Sequence, residues 1–322
     1  MRRLQPLLSR LPFTGGDHNG TPRRRLTSAN LEREGQRITR MKILTLSLLI
    51  TVISVCGAFA QGKKETGPNF DIVDFNKKVE TAEWLVRYDV VAWKTTDVLV
   101  AQDKAELTKL GPEWFCIEDK GKGLWHALYG RIEAGTYKVA VHYLMDAAGK
   151  ITKTSEKLDQ KMLDGYAAAL ATARVRLETK VPKGSVKFNQ YIRRDSDGTF
   201  EVWMMPAFQT NGVAVFGGEG IYRLNAAGDK ITSDSSYFQP ALRGFQATPP
   251  REIWLNYTEA DKPTLGSIFF VLYYKEYFTS IMIDNAASTS TLIKDPKNGE
   301  YMWVNIEKDL REHPPSVKPK KP

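Results

Sequence analysis

Cysteine is scarce in this chain, which has only two among its 322 residues, Cys56 and Cys116. Cys56 lies in an N-terminal apolar stretch that we expect to be removed, so one cysteine would remain. A single thiol excludes a disulfide framework, even in a compartment that permits one. Because Cys116 stands between Phe115 and Ile117, we interpret it as a small buried apolar residue and not as a nucleophile.

Recognisable catalytic motifs are also missing. The sequence has no G-x-S-x-G nucleophile elbow, no H-E-x-x-H zinc motif and no S-x-x-K nucleophile. Gly217-Gly-Glu-Gly220 is not a dinucleotide fingerprint, because no βαβ unit surrounds it, and it is more typical of a β-bulge or a close backbone approach. The sequence therefore predicts no cofactor, and it leaves open whether the protein is an enzyme.

The N-terminal apolar run is short. Ile43–Val55 holds thirteen residues, fewer than the about 20 that a membrane-spanning helix needs. Lys42 precedes the run and Ala58-Phe59-Ala60 follows it, which is the order of a secretory signal peptide with its cleavage site. We therefore predict a signal peptide over residues 41–60 and a secreted or periplasmic protein.

Two alternatives to simple cleavage remain for this segment. It could stay uncleaved as a membrane anchor, or Cys56 could be lipidated, although the residue before a lipidated cysteine is usually smaller than Val55. In each alternative the rest of the chain faces the outside of the membrane. The membrane is then contacted only through this segment.

Lysine is absent from residues 1–40, which contain nine arginines. Beyond residue 60 the basic residues are instead 26 lysines and 10 arginines. This contrast predicts that residues 1–40 are an upstream extension foreign to the native protein. The alternative is an arginine-rich arm that serves targeting or binds nucleic acid.

A large net charge is absent once these segments are set aside. The whole chain carries +9, of which residues 1–60 contribute +7, so that +2 remains. A strongly basic protein suggests nucleic acid or anionic lipid as a partner, whereas a balanced one does not. We therefore expect no nucleic-acid partner.

The remaining sequence predicts an α+β fold, with two helices packed on antiparallel β-meanders in one globular module over residues 61–308. Apolar residues at three- and four-residue steps predict a first helix that begins after Asp74 and a second over about residues 155–180. Short strands joined by glycine-containing turns follow each helix.

The two halves of this region repeat one another. Tyr143-Leu-Met-Asp-Ala-Ala-Gly-Lys-Ile-Thr152 matches Tyr222-Arg-Leu-Asn-Ala-Ala-Gly-Asp-Lys-Ile-Thr232 with one inserted residue. This match predicts a duplicated helix-plus-sheet unit with halves at residues 70–154 and 155–236. The alternative is convergence, since Asp-x-x-Gly and Asn-x-x-Gly are common turn sequences.

The C-terminal part, residues 237–308, is rich in β-formers. The run Ile268–Tyr274 is apolar without alternation, so we predict a central strand covered on both faces. Residues 309–322 are rich in proline and lysine and are expected to form a disordered tail.

Two of the four histidines are candidates for a metal site. The sequence Glu133-Ala134-Gly135 predicts a three-residue hairpin loop that pairs Ile132 with Thr136. That register would place His126 directly opposite His142. Paired imidazoles on one sheet face bind Zn²⁺ or Cu²⁺.

A metal at His126 and His142 would need a further ligand. Cys116 or Glu118 on the neighbouring strand are the candidates. The alternative is a half-exposed histidine pair without a metal.

The stretch Val215-Phe-Gly-Gly-Glu-Gly-Ile-Tyr-Arg223, with the Asn-Ala-Ala-Gly turn after it, resembles a set of uncharacterised secreted bacterial proteins. Those proteins carry a Phe-Gly-Gly-Asp/Glu strand that ends near an arginine, followed by a turn and a Lys-Ile return. The resemblance covers about 40 residues. It implies an exported protein and no particular activity.

We therefore predict a non-catalytic envelope or extracellular binding module, whose partner is an unidentified ligand or envelope protein. Apolar helix faces on a curved sheet can leave a pocket. The aromatic candidates to line it are Trp114, Trp125, Trp203 and Trp254, most of which we expect to be core residues. The alternative function is a secreted hydrolase or metal-dependent enzyme with a dispersed active site.

Overall fold

The computed structural model describes residues 70–101, 107–181, 186–247, 251–257 and 259–308. The predicted upstream extension, signal peptide and C-terminal tail, together with Cys56, lie outside these residues. The described part is a mixed α and β structure, mostly β, which confirms the predicted α+β class. Within it, no helix combines the length and the apolar character needed to cross a membrane.

The described residues contain three helices, one more than predicted. They are α1 (Ile72–Val100), α2 (Gln160–Glu178) and α3 (Leu265–Tyr274). Each begins at a side-chain cap, as helix termini require. Asp71 caps α1, because it accepts the backbone N–H of Asp74 at 3.0 Å. The predicted cap, Asp74, therefore lies in the first turn instead.

Thirteen strands form three sheets within the described residues. The first sheet is a meander of four antiparallel strands, β1 (Trp114–Asp119), β2 (Leu124–Glu133), β3 (Thr136–Asp146) and β4 (Ile151–Lys153). The second sheet is a similar meander of β5 (Phe188–Arg194), β6 (Phe200–Pro206), β7 (Val213–Leu224) and β8 (Ile231–Asp234), with β9 (Tyr237–Gln246) paired to the first half of β7.

We predicted antiparallel strands throughout, but the third sheet contains a parallel pair. Its strands are β10 (Glu252–Tyr257), β11 (Ser280–Asn285), β12 (Ser288–Lys294) and β13 (Tyr301–Glu307), in that order. β10 and β11 are parallel, and the remaining pairs are antiparallel. A parallel pair needs a crossover connection, and helix α3 lies in it.

The prediction of a central strand over Ile268–Tyr274 is therefore wrong, because these residues form most of α3. An uninterrupted apolar run fits a strand covered on both faces and a buried helix equally well. Here Thr264 caps the run and accepts the backbone N–H of Ser267 at 3.1 Å. The helix buries residues all around its axis, including Ile268, Phe269, Phe270 and Val271.

Two apolar clusters hold the described residues together. The larger one contains α1, α3 and one face of the first sheet. The smaller one places α2 between the opposite face of the first sheet and the second sheet, where the Tyr166 ring stacks on Phe115 with centroids 5.0 Å apart. The first sheet is thus covered on both faces, by α1 and by α2.

Candidate functional site

The first strands of the two meanders, β1 and β5, approach each other edge to edge. Gln190 of β5 joins them at one end, since its side-chain amide donates to the Trp114 carbonyl at 2.8 Å. Arg174 of α2 supports this contact by donating to the Gln190 side-chain oxygen at 3.1 Å. Beyond this point the strands belong to separate sheets.

Two tyrosine hydroxyls accept backbone N–H groups at the facing edges of β1 and β5. The Tyr88 hydroxyl of α1 accepts the backbone N–H of Cys116 at 2.8 Å. On the other side the Tyr166 hydroxyl of α2 accepts the backbone N–H of Arg194. The edge of β1 is thus hydrogen-bonded to α1 and the edge of β5 to α2, and a space opens between the two strands.

This space, which we name the β1–β5 cleft, has a volume of about 510 Å³. Its floor is apolar. The floor residues are Trp84, Cys116, Ile117, Leu158, Met162, Tyr166 and Ile192. Its rim carries charged and polar side chains from both strands. The rim residues are Glu118, Asp119, Lys120, Arg193 and Arg194, and the buried His126 also lines the space.

Arg193 is held in place within the rim. Its guanidinium lies over the rings of Trp84 and Trp203, 5.5 and 5.2 Å from their centroids. It also forms an ion pair with Glu201 at 2.6 Å. Cation–π contacts and a neighbouring carboxylate together fix this side chain, so its charge is already balanced within the protein.

Two other rim charges lack an ion pair, although the Arg194 guanidinium carbon lies 6.0 Å from the Phe200 ring centroid. Among the ion pairs of the described residues, neither Glu118 nor Arg194 has a partner. Glu118 accepts the indole N–H of Trp84 at 2.9 Å, which orients the carboxylate. Arg194 is exposed, and its Nε donates to the Gly198 carbonyl at 3.4 Å. The cleft thus presents one oriented anion and one cation.

The two histidines lie together, although not in the predicted register. His126 is paired with Leu144, and Leu128 is paired with His142. The loop has two residues, and the register shifts once more between Tyr129 and Gly130. The histidines are therefore diagonal neighbours on one face. Their Nδ1 (His126) and Nε2 (His142) atoms are 2.9 Å apart.

The histidine pair is buried rather than half-exposed, since each side chain is 4% exposed. Burial lowers the pKa of both imidazoles, and the charge of His126 lowers that of His142 further. A ring N–H of His142 donates to the backbone carbonyl of Glu156. Because a neutral imidazole has one donor and one acceptor, His126 then donates through Nδ1 and has its Nε2 as acceptor.

The described residues contain no group of three or more His, Cys, Asp or Glu side chains that could hold a metal ion. On β1 the residue paired with His126 is Ile117. Its neighbours Cys116 and Glu118, the candidate third ligands, therefore lie on the opposite face of the sheet. The zinc or copper site therefore has two candidate ligands, His126 and His142, and it stays a prediction.

Cys116 is buried, with 1% of its surface exposed. Burial raises the pKa of its thiol well above the usual range, and the charge of Asp89 raises it further. Because the thiolate is the reactive form, this cysteine is a poor nucleophile.

The four predicted tryptophans are dispersed through the fold. Trp203 is buried beneath Arg193 beside the cleft, and Trp125 packs against Trp84 with centroids 5.9 Å apart. Trp114 is half-buried, and Trp254 lies exposed on the third sheet. Sequence reasoning missed Trp84, Arg193 and Arg194 as site residues, because their proximity depends on the contact between β1 and β5.

Two buried carboxylates lie outside the cleft. Asp89 of α1 accepts hydrogen bonds from Tyr191 and Tyr273, each at 2.7 Å, and from Asn189 at 3.1 Å. Burial raises its pKa, and these three bonds oppose the shift. Asp89 therefore joins α1 to β5 and α3 through one carboxylate.

Glu219 is the second buried carboxylate, and it lies in the Gly217-Gly-Glu-Gly220 stretch of β7. It accepts the backbone N–H of Gly266 and the Thr264 hydroxyl at the start of α3. Burial raises its pKa to about 7. The predicted bulge is confirmed, because the β7–β9 register shifts between Phe216 and Gly218 and Gly217 has φ +94°.

Comparisons with known proteins assign this chain to no family. No family model, no curated protein and no solved structure matches it.

Proposed function

We propose that this protein is an exported binding module whose β1–β5 cleft holds a small organic ligand with an apolar body and an anionic group. The observation that carries the proposal is the pairing of an apolar floor with two charges that have no ion-pair partner, Glu118 and Arg194. The volume of about 510 Å³ lies within the roughly 300–1,000 Å³ of typical ligand sites. Arg194 would bind the anionic group, and Glu118 would accept an N–H or O–H.

Binding is favoured over hydrolysis in this cleft by the state of its potential nucleophiles. The Cys116 thiol is buried with a raised pKa. The Tyr166 hydroxyl bonds to the backbone of Arg194, and burial raises its pKa to about 12. Groups that are buried and engaged in this way are weak nucleophiles.

Export is supported by the signal-peptide pattern over residues 41–60 and by the resemblance of Val215–Arg223 to secreted bacterial proteins. We expect the protein recovered from outside the cytoplasm to begin at Gln61, because the A-x-A site ends at Ala60. Intact mass spectrometry checks this. A mature chain that begins upstream of Met41 would contradict export by this signal.

The cleft is tested with 8-anilinonaphthalene-1-sulfonate, an aromatic anion that matches the proposed ligand class. We expect saturable binding of one probe per chain, measured by fluorescence titration. Leu158→Trp should abolish binding, because the larger ring fills the floor. Arg194→Ala should weaken it about 10-fold, the effect of losing one charge-assisted contact of about 1.4 kcal/mol.

Arg131→Ala is the matched control for Arg194→Ala, since Arg131 is a partly exposed arginine on β2, at the other end of the strand from the cleft. It should leave the affinity unchanged. Equal affinity in the parent, Leu158→Trp and Arg194→Ala proteins would show that the probe binds elsewhere and would refute the cleft. Circular dichroism of each variant establishes that it is folded.

We also propose that the first two sheets are halves of a duplicated helix-plus-sheet unit. In each, a helix precedes four antiparallel strands in sequence order. The repeated turns are supported by glycines with similar positive φ, 79° at Gly149 and 76° at Gly228. An experimental structure in which the two units superimpose only out of strand order would exclude duplication.

A further inference from the structure

β13 stands out as a long and unprotected edge among the sheet edges that the structure describes. The edge strands β4 and β8 have three and four residues, β9 contains Pro240, and on the six-residue edge strand β10 the Asn256 carbonyl accepts the Gln239 side-chain amide at 2.7 Å. β13 has seven residues without proline, and within the described residues it pairs with β12 alone. Natural proteins usually protect such an edge with prolines, bulges or charges, or they pair it with another strand.

The hydrogen-bonding direction along β13 follows from its two ends. The Lys308 N–H donates to the Ala287 carbonyl at 2.9 Å, and the Glu300 carbonyl accepts the Asp295 N–H at 2.8 Å. Even-numbered residues therefore bond towards the rest of the sheet. Because this direction alternates along a strand, the odd-numbered residues direct their N–H and C=O groups to the free edge. These residues are Tyr301, Trp303, Asn305 and Glu307.

One face of β13 is apolar and exposed. Met302 is 50% exposed and Ile306 is 58% exposed. Val304 lies between them on the same face and is half-buried. On the opposite face Trp303 packs edge-on against Phe75, with centroids 5.2 Å apart. The strand is thus anchored on its inner face while its outer face and its edge remain accessible.

We propose that β13 is a self-association edge, at which a second copy of the chain pairs its own β13 antiparallel about a two-fold axis at Val304. In this register Val304 faces Val304 of the second copy, Met302 faces Ile306, and Trp303 faces Asn305. The residues with free backbone groups then face one another, so every such group gains a partner. The two third sheets join into one sheet of eight strands.

The charges at the two ends of β13 favour this register. They also favour a second copy of the chain as the partner. Glu300 faces Lys308 of the second copy at one end, and the same pair forms at the other end by symmetry. Lys308 already contacts Asp284 at 2.7 Å and donates to the Asn285 carbonyl at 2.6 Å, so Glu300 of the second copy would add a second carboxylate beside an ammonium group that is held in position. A shift of two residues in one direction would place Glu300 opposite Ile306, and a shift in the other direction would place Lys308 opposite Met302. A strand that complements its own reverse in this way fits a second copy of itself.

Solution mass tests the association. We expect the protein as isolated to elute as a dimer in size-exclusion chromatography with light scattering. Val304→Lys should give a monomer, because it places two ammonium groups opposite each other at the axis. The matched control is Val175→Lys on α2, where the valine is 67% exposed, and it should remain a dimer. A monomeric parent protein would overturn the proposal.

Disulfide trapping tests the register. Val304 lies in a non-hydrogen-bonded pair, where Cα atoms are about 4.5 Å apart, a distance that a disulfide spans. Val304→Cys should therefore cross-link two chains under mild oxidation. Ile306→Cys should not, because the two copies of residue 306 would be about 13 Å apart along the strands.

Cross-linked dimers are detected on non-reducing gels. The parent chain is the control, because it shows any cross-link that forms through its own cysteines. Equal cross-linking of both variants, or none in a dimeric Val304→Cys protein, would overturn the pairing. A monomer whose β13 amides resist hydrogen exchange would show that the chain, for example through residues 309–322, covers its own edge. That result would also refute self-association.

Discussion

Asp89→Ala is expected to lower the free energy of unfolding by about 3–5 kcal/mol at neutral pH. The substitution leaves the hydroxyls of Tyr191 and Tyr273 and the amide of Asn189 without their acceptor. Each buried donor left unsatisfied costs about 1–3 kcal/mol, and rotation of the hydroxyls recovers part of that cost. Urea denaturation followed by tryptophan fluorescence measures the loss.

Asp89→Asn is the control, because it keeps the size of the side chain and one acceptor oxygen. Its amide can donate to one of the tyrosine hydroxyls, which also accept hydrogen bonds. We expect a loss of about 1 kcal/mol, a typical net value for one hydrogen bond. A loss as large as that of Asp89→Ala would show that the negative charge matters rather than the three bonds.

Glu219 is expected to make the protein less stable as the pH rises from about 4.5 to 7. Its pKa is raised to about 7 in the folded protein from an ordinary value of 4.5. The folded state therefore binds more protons than the unfolded state in this window, and stability falls as the pH increases. The full penalty, about 3 kcal/mol at 1.36 kcal/mol per pKa unit, is present above pH 7.

The comparison that isolates this effect is Glu219→Gln, measured by urea denaturation at pH 4.5, 6 and 8. The variant cannot ionise, so its stability relative to the parent should rise by about 3 kcal/mol across the series. Glu133→Gln, at a glutamate with 45% of its side chain exposed, should follow the parent. An identical pH dependence for Glu219→Gln and the parent would show that Glu219 is not the titrating group.

Local sequence patterns predicted the first two meanders well. The glycine-containing turns and the apolar stripe of α2 lie where the pattern placed them, within a few residues, whereas Trp93, which the pattern placed on the apolar face of α1, is exposed. The reason is that turns and amphipathic helices depend on neighbours close in sequence. The prediction for α3 was wrong because an apolar run without alternation has no period by which to choose between helix and strand.

The hairpin between β2 and β3 shows how the conformation of one turn can make a predicted strand register wrong. Ala134 has φ 48° and Gly135 has φ 79°, so the turn has two residues with positive φ. Alanine rarely adopts this conformation, and the sequence therefore favoured a longer loop. A second shift beside Gly130 adds to the error. His126 and His142 still share a face, because the two shifts together move the pairing by two residues.

The β1–β5 cleft could not be predicted, because it depends on the meeting of two sheets. Glu118 and Arg194 are far apart in sequence, and neither belongs to a motif. Their proximity follows from the Gln190 contact and from the two tyrosine hydroxyls that bond to the strand edges. Contacts of this kind are fixed by tertiary packing, about which a single sequence carries little information.

The burial of Cys116 bears on how such a chain would fold where oxidants are present. Its thiol belongs to the larger apolar cluster, which contains α1, and its own backbone N–H donates to the Tyr88 hydroxyl. Once the first sheet has packed on α1, 1% of the surface of Cys116 stays exposed, so the sulfur is shielded from small disulfides. A wrong covalent link can therefore form only before that packing step. Because Cys116 is the one cysteine of the described residues, no disulfide can form within this part of the chain, and its folding would need no thiol–disulfide isomerase.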